Sequence, residues 1–321
     1  MNSRLKKGVV FSLFVITAIS LVMLSYQIKT EFKEEIKAET FVNRAELINQ
    51  FIDNFEKDLS RTLKLSTKSS FESAYNYMKS TGYLGSNFDL RMKELILFGT
   101  ILGTPQATSE DKTIYSWLEG INLIANQLNI NISLDEISIY LTQKDAWTIN
   151  ITMTTNVSIS DNLGQLKWNY TLIKNTMLDI SNEGLPDPVY YIESVGTMEN
   201  LIKKTNYSTF WYNLSGSINV DYLTNHVTNQ FYHNNSNAPS FIMRYKGDLS
   251  SNEYGIESFV NIVSGSAVCT NSVTGDCSVC TTDYQFFSEG CSSPKQIENM
   301  EPRFKIDNSD TENYNLDDIE I

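Results

Sequence analysis

The sequence predicts an α+β protein in which an N-terminal transmembrane helix continues into a long amphipathic helix. An α+β head follows, with an antiparallel meander and a cysteine-rich C-terminal loop. Three observations predict this. A basic leader with Arg4, Lys6 and Lys7 precedes an apolar run from Gly8 to Tyr26. Residues 27–78 then contain no Pro and no Gly, and their apolar residues recur at spacings of three and four. Beyond residue 130 the period changes to two. A helical period followed by a strand period means helices packed with a one-sided sheet.

The apolar run is interrupted only by Ser12, Thr17, Ser20 and Ser25. At about 1.5 Å per residue, residues 8–26 can cross a hydrocarbon core of about 30 Å. The basic leader, residues 1–7, is expected to stay in the cytoplasm, which places the bulk of the chain outside. Ala18-Ile19-Ser20 also fits a signal-peptide cut, but Leu21-Val22-Met23-Leu24 continues the apolar run past it. A buried core helix is the third reading. So short a leader leaves no room for a cytoplasmic signalling domain.

In residues 27–80 the stripe runs through Ile28, Phe32, Ile36, Phe41, Ala45, Ile48, Ile52, Phe55, Leu59 and Leu63. This stretch reads as a stalk near the membrane and as a helix packed on the head farther along. Thr81-Gly82-Tyr83-Leu84-Gly85 ends it, and residues 81–297 form the expected head. Two helical patches follow, at 89–101 and 109–128. Three strands are then expected at 131–141, 147–159 and 166–180, with turns at Gln143-Lys144-Asp145 and Asp161-Asn162-Leu163-Gly164. Leu185-Pro186-Asp187-Pro188 breaks the chain. A short helix is expected at 219–232, and strands, or a strand and a helix, at 241–245 and 256–263. Residues 298–321 carry eight acids against Arg303 and Lys305 and are expected to be poorly ordered.

The chain has 321 residues, 25 Lys+Arg against 38 Asp+Glu, and a formal net charge of −13. Such acidity argues against nucleic-acid partners, because no basic surface would displace phosphate counterions. By segment the leader is positive, the long helix is balanced, and the acidity belongs to the head and tail.

Cys269, Cys277, Cys280 and Cys291 fall within one short C-terminal stretch. In an extracytoplasmic chain an even-numbered cluster reads as local disulfides, with three pairings open. A zinc site and free thiols are the alternatives. Asn-x-Ser/Thr sequons stand at Asn131, Asn150, Asn156, Asn169, Asn206, Asn213 and Asn234, all in the expected head. Asn, Ser and Thr are so frequent here that chance accounts for such a number. His226 and His233, seven apart, would share a helical face, yet no third ligand accompanies them and no metal is expected. Asp307–Glu312 lacks the central Gly and the spaced bidentate Glu of a calcium loop. The Phe210-Trp211-Tyr212 cluster reads as packing rather than a sugar platform. No nucleophile elbow, phosphate loop or zinc-protease string is present. Neither a catalytic residue nor a cofactor is expected.

Lys6-Lys7-Gly8 before Val9-Val10-Phe11-Ser12-Leu13-Phe14, with the long helix behind it, resembles type IV pilin-like proteins. The resemblance implies cleavage between Gly8 and Val9 by a prepilin peptidase, a bilayer or filament-core helix, and an outward β-rich head. Most pilins carry Glu where this chain has Leu13, and its absence is a trait of minor and tip subunits. Leu185-Pro-Asp-Pro-Val-Tyr190, Asn237–Tyr245 and Tyr254–Val260 also resemble a family of archaeal single-pass membrane-anchored surface proteins of unassigned function. The expectation is a non-enzymatic surface protein, a minor pilin-like subunit in assembly or adhesion. Its partners would be the lipid bilayer and pilin-like or other surface subunits. A membrane-tethered ligand-binding or sensing domain acting through a partner is the alternative, and a tethered hydrolase the third.

Overall fold

The computed structural model of the chain describes residues 3–162, 164–261, 280–288 and 290–316. In the first helix, side chains are described at 19–27, at 29 and from 39 onward. Two compact units are present, residues 1–57 and 58–321. The first helix, α1 (Ser3–Thr81), contributes to both.

Within the first unit the helix is continuous, as the absence of Pro and Gly after residue 26 requires. Phe51 and Phe55, one turn apart, stack with ring centroids 6.4 Å apart. Among the described residues no helix is long and apolar enough to cross a membrane. The N-terminal part of the apolar run, residues 8–18, lies outside the described side chains.

The second unit begins at Asp58, so the residues of α1 from Asp58 onward fall in the same compact unit as the head. Their buried face is Leu59, Leu63, Ser66, Thr67, Ser70, Phe71, Ala74 and Met78. The helical stripe thus continues past Leu63, but in Ser and Thr rather than in large apolar residues. Small side chains let neighbouring backbone approach. Ser66 Oγ donates to the Ile96 carbonyl at 2.8 Å, and Ser73 Oγ lies 2.6 Å from Ser109 Oγ. Phe71 is fully buried, with the rings of Phe241 and Tyr245 edge-on at 5.0 Å.

Helices α2 (Phe88–Phe98) and α3 (Ile114–Gln127) follow, and both pack on the meander. Gly99, with φ 70°, ends α2 by donating to the Leu95 carbonyl. Thr113 caps α3 by accepting from Ser116 N at 3.0 Å. The meander has strands β1 (Ile130–Asp145), β2 (Thr148–Asp161) and β3 (Lys167–Asp179) in sequential antiparallel order. Its inner face is Ile132, Leu134, Ile137, Ile139, Ile149, Ile151, Met153, Val157 and Ile159. The step of three between Leu134 and Ile137 is a bulge: the register shifts between Asp135 and Ser138, with Glu136 at φ 53°. The extra residue returns both isoleucines to the core.

The rest of the head has little regular structure. It contains α4 (Pro188–Glu193), α5 (Asp221–Asn229), α6 (Phe241–Lys246), α7 (Asp283–Phe286), and the hairpin-like pairs β4 (Tyr232–Asn234) with β5 (Ile256–Ser258) and β6 (Pro294–Gln296) with β7 (Lys305–Asp307). Residues 241–246 are helical rather than extended, because Gly247 at φ 75° closes a turn by donating to the Arg244 carbonyl.

The C-terminal segment corrects the expectation of disorder. Phe304, Ile306, Tyr314 and Leu316 are buried in a second core with Phe210, Val220, Leu223, Val227, Phe259 and Ile297. Between the acids of this stretch stand Met300, Phe304, Ile306, Tyr314 and Leu316, and the last four carry it inward. Two of its acids are themselves buried as acceptors. Asp307 takes Ser292 N, Ser293 N and Ser309 N at 2.8–2.9 Å, which holds its carboxyl far below the usual carboxylate range despite burial.

Replacing Phe71 by Ala removes a ring at the junction of α1 and α6 and should cost about 3–5 kcal/mol. Ile173→Ala, on the exposed face of β3, should change stability by less than about 0.5 kcal/mol. Urea midpoints of the two variants test this; a small effect at Phe71 would show that α1 does not share the head's core.

Candidate functional site

The main convergence of ionisable groups is inside the head, around Arg244. This side chain is fully buried. Its Nη1 donates to Asp187 Oδ2 at 2.6 Å and to Asp283 Oδ2 at 2.9 Å, and its Nη2 donates to Asp283 Oδ1 at 3.3 Å and to the Ile256 carbonyl. The Tyr232 ring lies 5.6 Å below the guanidinium, and its hydroxyl donates to Asp187 Oδ2 at 2.7 Å. Asn200 Nδ2 donates to that hydroxyl at 3.2 Å. On the other side Ser258 Oγ donates to Asp283 Oδ2 at 3.0 Å, with Tyr190 Oη 2.8 Å away.

Local structure explains each placement. Asp187 is fixed by flanking prolines and caps α4, accepting from Val189 N at 3.0 Å. Arg244 projects from the short helix α6, and Tyr245 Oη ties that helix to the Pro186 carbonyl at 3.0 Å. Asp283 opens α7. Burial and the two carboxylates set the charges together. The flanking carboxylates push Arg244 well above its ordinary value against the opposing effect of burial. Burial raises Asp283, with Arg244 pulling the other way. Burial also raises Tyr190 and Tyr232, which therefore remain donors. Among the described atoms only Arg244 Nε has no hydrogen-bond partner here.

A second buried cluster adjoins it. Asp310 accepts from Asn235 Nδ2 at 3.0 Å, Gln285 Nε2 at 2.9 Å and Tyr284 Oη at 3.1 Å. Glu257 is fully buried; Tyr314 and Asn235 face its carboxyl without closing a well-formed hydrogen bond. Burial, reinforced by Asp310, raises Glu257 well above its ordinary value and so favours its protonated form.

The three stretches Leu185–Tyr190, Asn237–Tyr245 and Tyr254–Val260 meet in this interior through Asp187, Tyr190, Arg244 and Ser258. Asp283 and Tyr232, which complete it, carried no signal in the sequence beyond being ionisable or aromatic residues near short apolar runs. His226 and His233 do not share a helical face: His226 lies on α5 and His233 on β4, and both rings pack on Phe210 and Tyr314.

Cys280 and Cys291 form a disulfide across 11 residues. Cys269 and Cys277 lie outside the described residues. Asp307 stands beside the disulfide, but sulfurs bonded to each other are not available as thiolate ligands. The backbone of Gly8 and Val9 lies within α1, while their side chains are outside those described. Asn131, Asn156, Asn169, Asn206, Asn213 and Asn234 are exposed and Asn150 is half-buried. Asn131, Asn150, Asn156 and Asn169 share the outer face of the meander, where Asn156 Nδ2 donates to Glu136 at 2.9 Å. Phe210 is core, and Trp211 Nε1 donates to the Asn315 carbonyl.

Two open concavities lie elsewhere on the head. One, of about 480 Å³, is lined by the stacked rings of Phe98 and Tyr115, 4.8 Å apart, and by Glu110, Asp111 and Glu119. The other, of about 390 Å³, runs along the outer face of β2 and β3 beside Asn156 and Asn169.

What the Arg244 arrangement can do is hold five chain segments in register. Arg244→Leu leaves Asp187 and Asp283 buried without their cation and should cost about 3–5 kcal/mol at pH 7. In that variant the buried carboxyls titrate above their unfolded values, so the folded state binds more protons than the unfolded chain. Its deficit should shrink as pH falls from 7 to 5. Denaturation of wild type and variant across that range checks both sign and size; a deficit independent of pH would dismiss the unpaired carboxylates as its cause. No protein-family model, curated protein or solved structure matches this chain.

Proposed function

We propose that this chain is a non-enzymatic, membrane-anchored extracytoplasmic surface protein, a minor type IV pilin-like subunit acting in assembly or adhesion. One observation carries the anchor. Leu21, Val22, Met23 and Leu24 are successive residues of α1 and are each 55–70% exposed. Four successive helical residues point to nearly every side of the helix. A helix segment apolar all round with no protein cover fits an apolar medium, either a bilayer or the core of a helical filament.

The head supports a display role rather than a reaction. Its ionisable groups converge in a closed interior where they hold segments together, and the outer meander face is Asn-, Ser- and Thr-rich. The basic leader would remain inside, α1 would be held in the apolar medium, and the acidic head would face outward. The alternative, a tethered ligand-binding or sensing domain, is favoured by the concavity at Phe98 and Tyr115.

N-terminal sequencing of the mature protein from its membrane fraction separates the two readings. A chain starting at Val9 is the expected result. An intact Met1, or a start near Leu21, overturns the pilin-like reading. Protease added to intact cells should remove the head; a protected head would overturn its outward placement.

A further inference from the structure

The second core contains an imidazole in an unusual setting. His226 is fully buried, and neither ring nitrogen has a hydrogen-bond partner. Its ring is surrounded by Phe210 at 5.0 Å, Phe259 at 5.3 Å, Tyr314 at 5.8 Å and Phe231 at 6.4 Å. One wall of this cage, Tyr314, belongs to the C-terminal segment. That segment closes with a tight turn in which Tyr314 N and Leu316 N donate to the Thr311 carbonyl and Asn315 N to the Glu312 carbonyl. Upstream, Asp307 clamps the chain to Ser292 and Ser293, so the last turn is anchored at one end by a robust ionic hydrogen-bond set. At the other end it rests on the aromatic cage.

We propose that residues 311–316 form an acid-released strap, latched while the caged His226 is uncharged. An uncharged imidazole fits an apolar cage at small cost, whereas an imidazolium without an acceptor does not. Burial, with His233 nearby, depresses His226 to about 3, below the ordinary histidine value of about 6.5. A group depressed on folding stabilises the fold while it is neutral. That stability is intact above about 6.5 and drains away as pH falls toward 3.

The surrounding titratable groups do not reverse this. His233 on β4 is also depressed by burial, while the Asn313 backbone favours its charged form and Lys204 opposes it. Glu257 on β5 is already neutral and stays so in acid. The Tyr314 and Tyr284 hydroxyls are raised and do not titrate below neutrality. Asp310 sits at the base of the strap on neutral donors. Asp307 stays ionised to far lower pH, so release should begin beyond it. Opening would bare Phe210, Phe259 and Val227, an apolar face available only in acid. The proposal does not depend on where the head is displayed.

Hydrogen exchange of the full-length protein in detergent, corrected for intrinsic rate, provides the test. Protection at Tyr314, Asn315 and Leu316 should fall at least tenfold between pH 7 and 4, while Ile151 and Met153 in β2 stay protected. Quenching of Trp211 should change over the same range. In His226→Phe, which keeps the ring contacts and cannot protonate, release should move down by at least one pH unit. Constant protection in wild type overturns the proposal, as does loss at β2 at the same pH, which is global unfolding. Release of His226→Phe at the wild-type pH assigns the event to another group and also overturns it. Should that variant not fold, His226→Leu replaces it, and the wild-type profile still decides whether the strap opens alone.

Discussion

The head depends on one buried cation. Beyond the meander, no described strand is longer than three residues and no described helix longer than nine. Backbone ladders therefore cannot specify how residues 180–316 pack. Arg244 does that work instead, because a desolvated guanidinium tolerates only arrangements that bring it carboxylates and carbonyls. Asp187, Tyr232, Ile256 and Asp283 each come from a different segment, and each arrives with its own hydrogen bonds already made. A shift of one segment would leave a charge alone in an apolar interior. Here the ion pair supplies registry, a role for which its net contribution to stability matters less than the penalty attached to every alternative.

What could be read from the sequence follows from how local the signals are. The meander was legible because period-two alternation is a property of neighbours, whereas its bulge between Leu134 and Ile137 emerged only with the strand register. The long helix was legible from uninterrupted spacing. The continuation of its buried face through Ser66, Thr67 and Ser70 was not, because small polar residues resemble a solvated face until a partner backbone is placed against them. Arg244 was invisible as a centre because its carboxylates lie 57 and 39 residues away. The C-terminal segment misled for the same reason. Asp307 and Asp310 count as solvent-seeking acids in a composition, yet each has several amide or hydroxyl donors waiting in the fold.

The formal charge of the head also changes meaning once burial is known. Asp187, Asp283, Glu257, Asp307 and Asp310 are all buried. Two of them share the single cation of Arg244, and burial favours the protonated form of Glu257. The surface is therefore less acidic than the sequence suggests, and much of the exposed sheet face is neutral Asn, Ser and Thr. Such a face resists non-specific association through hydration rather than repulsion.

The two interior clusters solve the same problem in opposite ways. Charge removed from water must be either matched or abolished, since an isolated ion in a low-dielectric interior is too costly to keep. Around Arg244 the charges are paired, one guanidinium facing two carboxylates, with burial raising Asp283 and Arg244 pulling it the other way. Around His226 and Glu257 they are abolished: the acid keeps its proton and the imidazole loses one. Neutral groups held in this way remain titratable, and each has a direction in which pH will force it to ionise. For Glu257 that direction is upward and for His226 it is downward. On the strap proposal the response to acid lies in the core that the C-terminal segment covers, while the registry of the remaining segments rests on Arg244 and its two carboxylates.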